Sequence, residues 1–555
     1  MNLENLETKQ HLIKEFFTWL FDDERIINKE VSLQKETDLS LAAYYMDPNI
    51  YYPEQIANFF NTKAMQRLGR ISQLDLAIDE FPNVYHNRLE HSKGVYNRKL
   101  EEMLYNFQNP MWREQIEKSK MKPYFLAELI KISGHDIGHL PLSHALEIQI
   151  FNQRTMHEVI GKRIMLEDTE IQSVLKSISP DLPEILQDLY KRDFSNFHQH
   201  DESNYDVDRF DYIFRDNLYA GNPIFVPYSQ YKTVNVPLNS LGFPEINSDS
   251  SIKTSADSDS TIDVYDYNSL QDIEHFLEIR ENGYNNIYFS HTTHIRENTI
   301  GALFKTFLSS NSNTGKNLRT FVETLQSCDI NNIDLSLFLE WDDIKFYSEI
   351  LDIAEYHETP DVRLLATMTI PKINEFLTMI YSHLNLYNEG QHYSIEDKKF
   401  LQNLKRLIKG NNALSENLRN PNFAMNNTLI FPIDDNFHNQ FINMFENGFI
   451  KTSTLKVKSY NPNEPIYIMG KDNKIYELSH HPDRKYDWNN RIKHIKYIYT
   501  YIPYLRFYGF SDDKINELAN FSISPLSQNS NKEFQKINMQ PLQVGHNIED
   551  CFLEL

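Results

Sequence analysis

Residues 91–220 carry an almost continuous helical pattern, and this stretch constrains the fold more than any other feature of the chain. Apolar side chains recur there at spacings of three and four residues, as in PYFLAELIKISGH and HEVIGKRIML, and Pro and Gly separate the segments. Residues 54–75 and 270–308 show the same pattern. A long stretch of this kind predicts packed amphipathic helices.

Strand-like segments are few. Residues 223–238 (PIFVPYSQYKTVNVPL) predict a short strand or hairpin, and residues 452–479 predict a hairpin pair. Residues 247–262 are rich in Ser and Asp and predict a mobile loop. The sequence therefore predicts a mainly α fold with small β-hairpin insertions and a mixed α/β C-terminal region.

Composition narrows the class of protein. The 55 basic and 78 acidic residues give a net charge of −23, which disfavours extended contact with nucleic acid. Cys328 and Cys551 lie far apart, which excludes a disulfide framework and favours a reducing compartment. The chain has no apolar run of roughly 18–20 residues and its N-terminus lacks the signal-peptide pattern, so we expect a cytoplasmic protein without membrane contact.

Three polar segments interrupt the helical pattern: VYHNRLEHSKGV, ISGHDIGHLPLSH and NYDVDRFDYIFRD. Together they supply imidazoles and carboxylates but no thiolate. Such a mixed N/O set suits a divalent cation such as Mn, Fe, Zn or Mg, and a helical bundle can bring distant segments around one ion. The alternative is that single histidines are hydrogen-bonded core residues and that the His-Asp pair arises by chance. The ordered combination of three segments favours the metal site.

In this order the three segments resemble the HD-domain metal phosphohydrolases, most closely the dNTP triphosphohydrolase branch. The resemblance extends over residues 66–305. It implies an HD-domain helical bundle around a metal at 56–310, preceded by an N-terminal helical arm at 1–55 and followed by a mostly helical region with a β-hairpin at 311–555. The metal ligands that it implies are His91, His135, Asp136 and Asp208.

The resemblance also implies substrate contacts. Residues expected to contact the sugar, base or phosphates are Gln73, Leu74, Arg88, Arg209, Tyr212, Asp216, Arg280, Tyr284 and Tyr288. Arg209 replaces a lysine and Tyr284 replaces a histidine of the family. The spacing from Arg280 to Tyr288 places three of these residues on adjacent turns of one helix face, although a core stripe of tyrosines would have the same spacing. A wall around Leu74 and Tyr212 would exclude ribonucleotides.

The catalytic residues implied by the resemblance form a fourth group. His157 is the expected proton-transfer residue, and His139 and His144 line the site. Glu147 stands where the family has an aspartate that supports the catalytic histidine. Glutamate is longer than aspartate by one methylene, so we expect Glu147 to contact the catalytic histidine with a different geometry from that of the family's aspartate.

The activity implied by these residues is hydrolysis of deoxynucleoside triphosphates to deoxynucleoside and inorganic triphosphate. Two alternatives stay open: an HD phosphohydrolase acting on a ribonucleotide, cyclic nucleotide or alarmone, and a nucleotide-binding regulator without turnover. Members of the family assemble as oligomers, so we expect a homo-oligomer (dimer, tetramer or hexamer), with residues 311–555 offering the assembly surface. Some members also bind an allosteric nucleotide between subunits.

Overall fold

The computed structural model describes residues 3–38, 48–191, 206–222, 234–237, 261–288, 290–327, 329–384, 393–410, 413–420, 422–431, 443–444, 451–458, 460–461, 465–472, 474–488, 492–520 and 522. Helices make up most of this part of the chain, which confirms the predicted fold class. Cys328, Cys551 and residues 247–260 of the predicted loop lie outside the described residues. No described helix has the length and apolarity needed to cross a bilayer.

Helices before residue 310 build the site and its surroundings. They are α1 (Leu3–Phe21), α2 (Glu54–Phe60), α3 (Lys63–Leu68), α4 (Arg88–Phe107), α5 (Pro110–Ser119), α6 (Lys122–Ser133), α7 (Ser143–Phe151), α8 (Met156–Glu167), α9 (Thr169–Ile178), α10 (Leu182–Lys191), α11 (Val207–Tyr219), α12 (Leu270–Gly283) and α13 (His291–Ser309). A π-helical turn, Tyr284–Tyr288, directly follows α12.

Shorter helices dominate the rest. They are α14 (Lys316–Ser327), α15 (Leu335–Leu339), α16 (Asp343–Tyr356), α17 (Pro360–Thr369), α18 (Ile373–His383), α19 (Ile395–Lys409), α20 (Ala413–Arg419), α21 (Phe423–Asn426), α22 (Ile502–Phe507) and α23 (Asp512–Ala519).

The strands form three small sheets in the described residues. They are β1 (Leu33–Thr37), β2 (Asn49–Pro53), β3 (Val234–Pro237), β4 (Thr261–Tyr265), β5 (Thr428–Phe431), β6 (Lys451–Lys458), β7 (Tyr467–Met469), β8 (Ile475–Glu477) and β9 (Ile492–Tyr501). Strands β1 and β2 pair antiparallel with Leu33 opposite Pro53. The other two sheets have the orders β3-β4-β7-β8 and β5-β9-β6, and β4 and β7 run parallel.

Two strand predictions need correction. Only β7 and β8 form the hairpin expected over residues 452–479, because β6 pairs along its length with β9 instead. The predicted loop at 247–262 overlaps the start of β4, whose Thr261 lies opposite Pro237 of β3. Both errors concern strand partners that are distant in sequence, which a local pattern does not specify.

One large hydrophobic core joins many of the described helices, and smaller separate clusters hold other buried side chains, including Phe210 of α11 and Phe276 of α12. Fully buried side chains from α1, α3, α6, α13 and α17, among them Phe16, Met65, Leu129, Leu303 and Leu365, belong to the same cluster. This core therefore includes residues on both sides of position 310. The domain boundaries drawn from the sequence stay a prediction.

Local sequence explains how the two helices that carry the site begin and meet. Helix α4 starts with a capping box in which Asn87 accepts the Glu90 amide and Glu90 accepts the Asn87 amide. Asp206 caps α11 by accepting the Arg209 amide. Gly94 of α4 faces α11 so closely that an added Cβ would lie 2.2 Å from an oxygen of Asp211. A residue without a side chain thus allows the two helices to approach at the height of the polar cluster.

Candidate metal centre and adjoining residues

The four predicted metal ligands meet at one place in the bundle. His91 lies on α4, Asp208 lies in the first turn of α11, and His135 and Asp136 lie in the turn after α6. The Nε2 atoms of His91 and His135 lie 3.0 and 3.2 Å from the same oxygen, Asp208 Oδ1. Asp136 places Oδ1 3.3 Å from His135 Nε2 and Oδ2 3.7 Å from His91 Nε2. Three distant segments therefore face one small volume.

This cluster fits a divalent cation. Nε2 of His135 is buried and makes no hydrogen bond within the described residues, although two carboxylates lie beside it. One ligand atom each from His91, His135 and Asp208 lies within 4.8 Å of the others. Imidazole nitrogens and carboxylate oxygens that face one point are the donors that borderline and hard divalent ions take.

The pKa values of the cluster show strong mutual stabilisation of opposite charges. Burial alone would raise the pKa of Asp208, but His135 and His91 hold it well below its usual range. Burial alone would lower the pKa of His135, but Asp136 and Asp208 raise it to about 10. The imidazoles and carboxylates thus stabilise one another's charges, and a divalent cation bound here would take the place of protons on the imidazoles.

Asp211 contacts His91 on the ring nitrogen that does not face Asp208. No role was predicted for Asp211 from the sequence. Its Oδ2 lies 2.9 Å from Nδ1 of His91, and Arg215 and Arg98 donate to the same carboxylate at 2.9 and 3.4 Å. Burial alone would raise the pKa of Asp211, but Arg215, His91 and Arg98 hold it low. A carboxylate on Nδ1 orients the ring and leaves Nε2 for a metal. Asp211 lies three residues after Asp208 on the same helix face, and this spacing could have indicated that it lies beside the metal ligands.

Arg88 connects the metal ligands to the neighbouring turn. Its Nη1 donates to Asp136 Oδ2 at 2.5 Å, and its Nε donates to Ser143 Oγ at 2.5 Å. The predicted phosphate-binding arginine thus lies directly at the metal cluster, and it is buried. Its second partner, Ser143, was not identified from the sequence.

The four predicted catalytic residues form a second cluster next to the first. Glu147 accepts the His157 amide at 2.7 Å and lies 3.1 Å from Nδ1 of both His157 and His144. The rings of His139 and His157 stack with centroids 3.9 Å apart, and His139 Nε2 lies 3.2 Å from Asp136 Oδ1. The longer glutamate thus contacts two histidines at once, and His139 joins the two clusters.

Electrostatics and backbone spacing shape this histidine cluster. Burial alone would raise the pKa of Glu147, but hydrogen bonds from His144 and His157 lower it to about 2. Burial, Arg88 and His157 hold the pKa of His139 well below its usual range. A Cβ on Gly138 would lie 2.1 Å from the His157 carbonyl oxygen. This glycine lets the HDIGH turn touch α8, which places His157 against His139.

The predicted sugar-binding residues lie on the other side of the metal cluster. Asp216 accepts the Tyr288 hydroxyl at 2.7 Å, and its other oxygen lies 2.8 Å from Nε2 of His86. Tyr212 has its ring centroid 6.3 Å from those of both His91 and Tyr288. Tyr212 therefore lies between the candidate metal ligands and the Asp216–Tyr288 pair. The sequence analysis gave His86 no role, although it belongs to the first polar segment.

Arg280 and Tyr284 extend this side of the site. The Arg280 guanidinium lies 5.7 Å from the Tyr284 ring centroid, and Tyr284 contacts Tyr288 edge-on. Burial alone would raise the pKa of Tyr284, but Arg280 and Arg209 lower it. The expected single α-helical face needs correction, because α12 ends at Gly283 and the two tyrosines lie on the π-helical turn. π-Helical turns recur at functional sites.

The remaining predicted contacts surround the same region. Arg209 donates to Asp206 at 3.0 Å, at the N-terminus of its own helix. The Gln73 amide donates to the His86 carbonyl, and the Gln73 side-chain oxygen is buried without a hydrogen bond in the described part of the chain. Leu74 is buried beside it.

Sequence comparisons show proteins that are similar to part of this chain. No family model matches the chain. The uncharacterized protein YwfO of Bacillus subtilis (strain 168) is 32% identical over 170 residues, which are 30% of this chain and 36% of that protein. The putative HD domain-containing protein L394 of Acanthamoeba polyphaga mimivirus is 34% identical over 187 residues, or 29% and 39% of the two chains. The deoxynucleoside triphosphate triphosphohydrolase SAMHD1 homolog of Dictyostelium discoideum is 26% identical over 182 residues, or 30% and 34%.

The solved structures show the fold. A phosphohydrolase from Bacteroides thetaiotaomicron superposes with a TM-score of 0.54 and 19% identity, over 84% of this chain and 99% of that one. The sequence matches to these three relatives span about a third of each relative's length. The chain is thus similar in part of its sequence to an HD domain-containing protein and to a triphosphohydrolase homolog, and it shares the fold of a phosphohydrolase.

Proposed function

We propose that the protein is a metal-dependent triphosphohydrolase of deoxynucleoside triphosphates that releases deoxynucleoside and inorganic triphosphate. The observation that carries the proposal is the meeting of His91, His135, Asp136 and Asp208 around one volume, with Arg88 on one side. The histidine cluster adjoins that volume through His139. A cation site, a phosphate-binding guanidinium and a proton-transfer group would thus be adjacent, an arrangement that suits hydrolysis of a phosphoester.

Each group has a defined task in this reaction. A divalent cation of the Mn, Fe, Zn or Mg type, held by the four ligands, supplies Lewis acidity at the phosphate. Arg88 offsets charge that develops on the phosphate oxygens. His157 transfers a proton to the leaving 5′-oxygen, and Glu147 holds its Nδ1 so that Nε2 carries that proton. His139, stacked on His157, keeps the imidazole plane in place.

The deoxyribose would occupy the side formed by Tyr212, Asp216 and Tyr288. Asp216 would receive the 3′-hydroxyl, and Tyr212 and Leu74 would close the space around the 2′-carbon against a ribose hydroxyl. Arg280 and Arg209, which both act on the Tyr284 hydroxyl, would add positive charge for the outer phosphates.

The test is product identification with a nucleotide panel. Metal-depleted protein is reloaded with Mn²⁺, Fe²⁺, Zn²⁺ or Mg²⁺ and incubated with the four dNTPs, the four NTPs, cyclic nucleotides and an alarmone, and products are separated by anion exchange. We expect triphosphate and deoxynucleoside from dNTPs only. Asp208→Ala should be inactive, and Glu158→Gln, at an exposed position of α8, should match wild type.

Other products would contradict the proposal in defined ways. Monophosphate with pyrophosphate, or turnover of another nucleotide class, would indicate a different HD phosphohydrolase. Nucleotide binding without turnover in the metal-loaded protein would indicate a regulator. Homo-oligomer formation, an allosteric nucleotide and a cytoplasmic location belong to the same proposal, and light scattering with and without dNTPs tests the first two.

A further inference from the structure

Asp343 lies outside residues 66–305, the region that resembles the HD-domain phosphohydrolases, and it contacts two segments that border the candidate site. It is the first residue of α16 and its side chain is fully buried. Its Oδ1 accepts the Leu142 amide at 2.8 Å, and its Oδ2 accepts the Ser72 amide at 2.9 Å. One carboxylate thus connects the backbone of two distant segments that border the site.

The first of these segments has an unusual backbone. Leu142 and Ser143 have φ angles of 53° and 50°, in the left-handed region that residues with a Cβ rarely occupy. Such strain persists where surrounding contacts fix the conformation. Asp343 fixes Leu142 through its amide, and Ser143 Oγ donates to the Ser72 carbonyl oxygen at 2.9 Å. Both residues of the strained turn are therefore linked to Ser72, Leu142 through Asp343 and Ser143 through its own hydroxyl.

From this turn, contacts lead directly to the metal cluster. Ser143 Oγ accepts from Arg88 Nε, and Arg88 Nη1 donates to Asp136. Ser72 immediately precedes Gln73 and Leu74, the predicted sugar and base contacts. A shift of the Ser72 or Leu142 backbone would therefore move both the Arg88 guanidinium and the predicted sugar and base contacts Gln73 and Leu74.

Asp343 is not needed to cap its own helix. Asp342 does this, because its side chain accepts the Lys345 amide at 2.8 Å and also pairs with Arg70. Around Asp343, His383 Nδ1 lies 3.9 Å from Oδ2, and His383 Nε2 lies 3.3 Å from Ser72 Oγ. The carboxylate thus faces the two backbone amides and one imidazole that itself contacts Ser72.

We propose that Asp343 is a positioning residue of the active site, which aligns the Ser72 and Leu142 segments so that Arg88 points at Asp136 and the substrate phosphates. This inference rests on the proposed function. It assigns to residues after 310 a direct part in the geometry of the reaction.

The experiment compares two neighbouring substitutions of the same kind. Asp343→Asn keeps the shape of the side chain but turns an NH2 group towards one of the two backbone amides. We expect kcat to fall about 10- to 100-fold, with a smaller change in KM and unchanged metal content. Asp342→Asn is the control, because asparagine still caps a helix, and it should keep wild-type kcat.

A double-mutant cycle separates positioning from general destabilisation. Ser143→Ala removes the contact between Arg88 and the turn without altering Asp343. If both substitutions act through the Arg88 position, the losses in kcat of Asp343→Asn and Ser143→Ala will not add in the double variant. Additive losses, wild-type kcat in Asp343→Asn, or an equal loss in Asp342→Asn would overturn the proposal.

Hydrogen exchange distinguishes this failure from failure of the proposed function. If the wild-type protein hydrolyses no nucleotide, the proposed function is wrong, but the contacts of Asp343 can still be measured. Faster amide exchange at 70–74 and 140–145 in Asp343→Asn, with no change in Asp342→Asn, supports the positioning role. Unchanged exchange at these segments overturns it whatever the substrate.

Discussion

Replacement of Glu147 with glutamine tests the histidine cluster most directly. The carboxylate accepts three hydrogen bonds, from the His157 amide at 2.7 Å and from Nδ1 of His157 and His144 at 3.1 Å each. Glutamine has the same length, but its amide nitrogen donates and does not accept. At least one of these donors, an imidazole or the His157 amide, therefore loses its acceptor and faces an N–H group.

The expected fall in kcat follows from the free energy of the lost hydrogen bond. A hydrogen bond to a charged acceptor contributes about 1.5–3 kcal/mol, and about 1.4 kcal/mol corresponds to a tenfold change in rate. If the bond orients His157 for proton transfer, kcat should fall about 10- to 100-fold in Glu147→Gln. Metal content should stay at the wild-type level, because Glu147 holds the histidines of the second cluster and not the four candidate ligands.

The assay is steady-state release of triphosphate by metal-loaded protein, with metal measured by elemental analysis on the same samples. Glu158→Gln is the matched control, since Glu158 adjoins His157 on α8 but is exposed. Wild-type kcat in fully loaded Glu147→Gln would refute the support of His157 by Glu147. A loss of metal would show instead that the histidine cluster is itself a ligand set, which its donor atoms could form.

Four further substitutions probe the site and its supports. Asp208→Ala should abolish turnover and lower bound metal in elemental analysis, because it removes the oxygen shared by both imidazoles. Asp211→Asn should weaken metal binding about 10- to 100-fold in a chelator competition, because His91 loses its orienting carboxylate. Gly138→Ala should lower the free energy of unfolding in urea by about 1–3 kcal/mol, because the new Cβ meets the α8 backbone. Burial raises the pKa of Asp343 to about 7, so folding favours its protonated form at low pH. Relative to Asp343→Asn, the unfolding free energy of wild type should fall by up to about 4 kcal/mol between about pH 4 and pH 8, and a pH-independent difference would contradict this. Asp343 accepts both amides as a carboxylate above about pH 7, and the kcat of Asp343→Asn is therefore compared with that of wild type there.

The helices and the presence of a polar centre were predictable because both leave local traces in the sequence. An amphipathic helix repeats its apolar side chains every three to four residues, and α4, α6 and α11 follow that rule. His91, the His135–Asp136 pair and Asp208 are residue types that a bundle core does not need. Their occurrence in three ordered polar segments therefore indicated a polar centre, and the resemblance to the HD-domain metal phosphohydrolases implied the four ligands.

Pairings at a distance left no such trace. Strand β6 has the alternation of a hairpin strand, yet its partner is β9, and only the packing of the C-terminal region decides between the two. The π-helical turn Tyr284–Tyr288 keeps the composition of an α-helix. In this turn Tyr288 donates to Asp216, and a Cβ added to Gly283 would lie 3.3 Å from the Tyr288 ring; sequence spacing shows neither.

Asp343 shows most clearly why local sequence rules do not reveal every residue that shapes the site. An aspartate in the first turn of a helix is favoured by the helix dipole alone, and Asp342 and Asp343 are equivalent by that rule. In the folded chain one caps the helix, and the other holds the Ser72 and Leu142 amides beside the metal cluster. The difference arises because α16 packs into the same core as the helices of residues 56–310. A site predicted within 56–310 therefore depends on a side chain beyond it, and the geometry of the metal cluster is inseparable from the packing of α16.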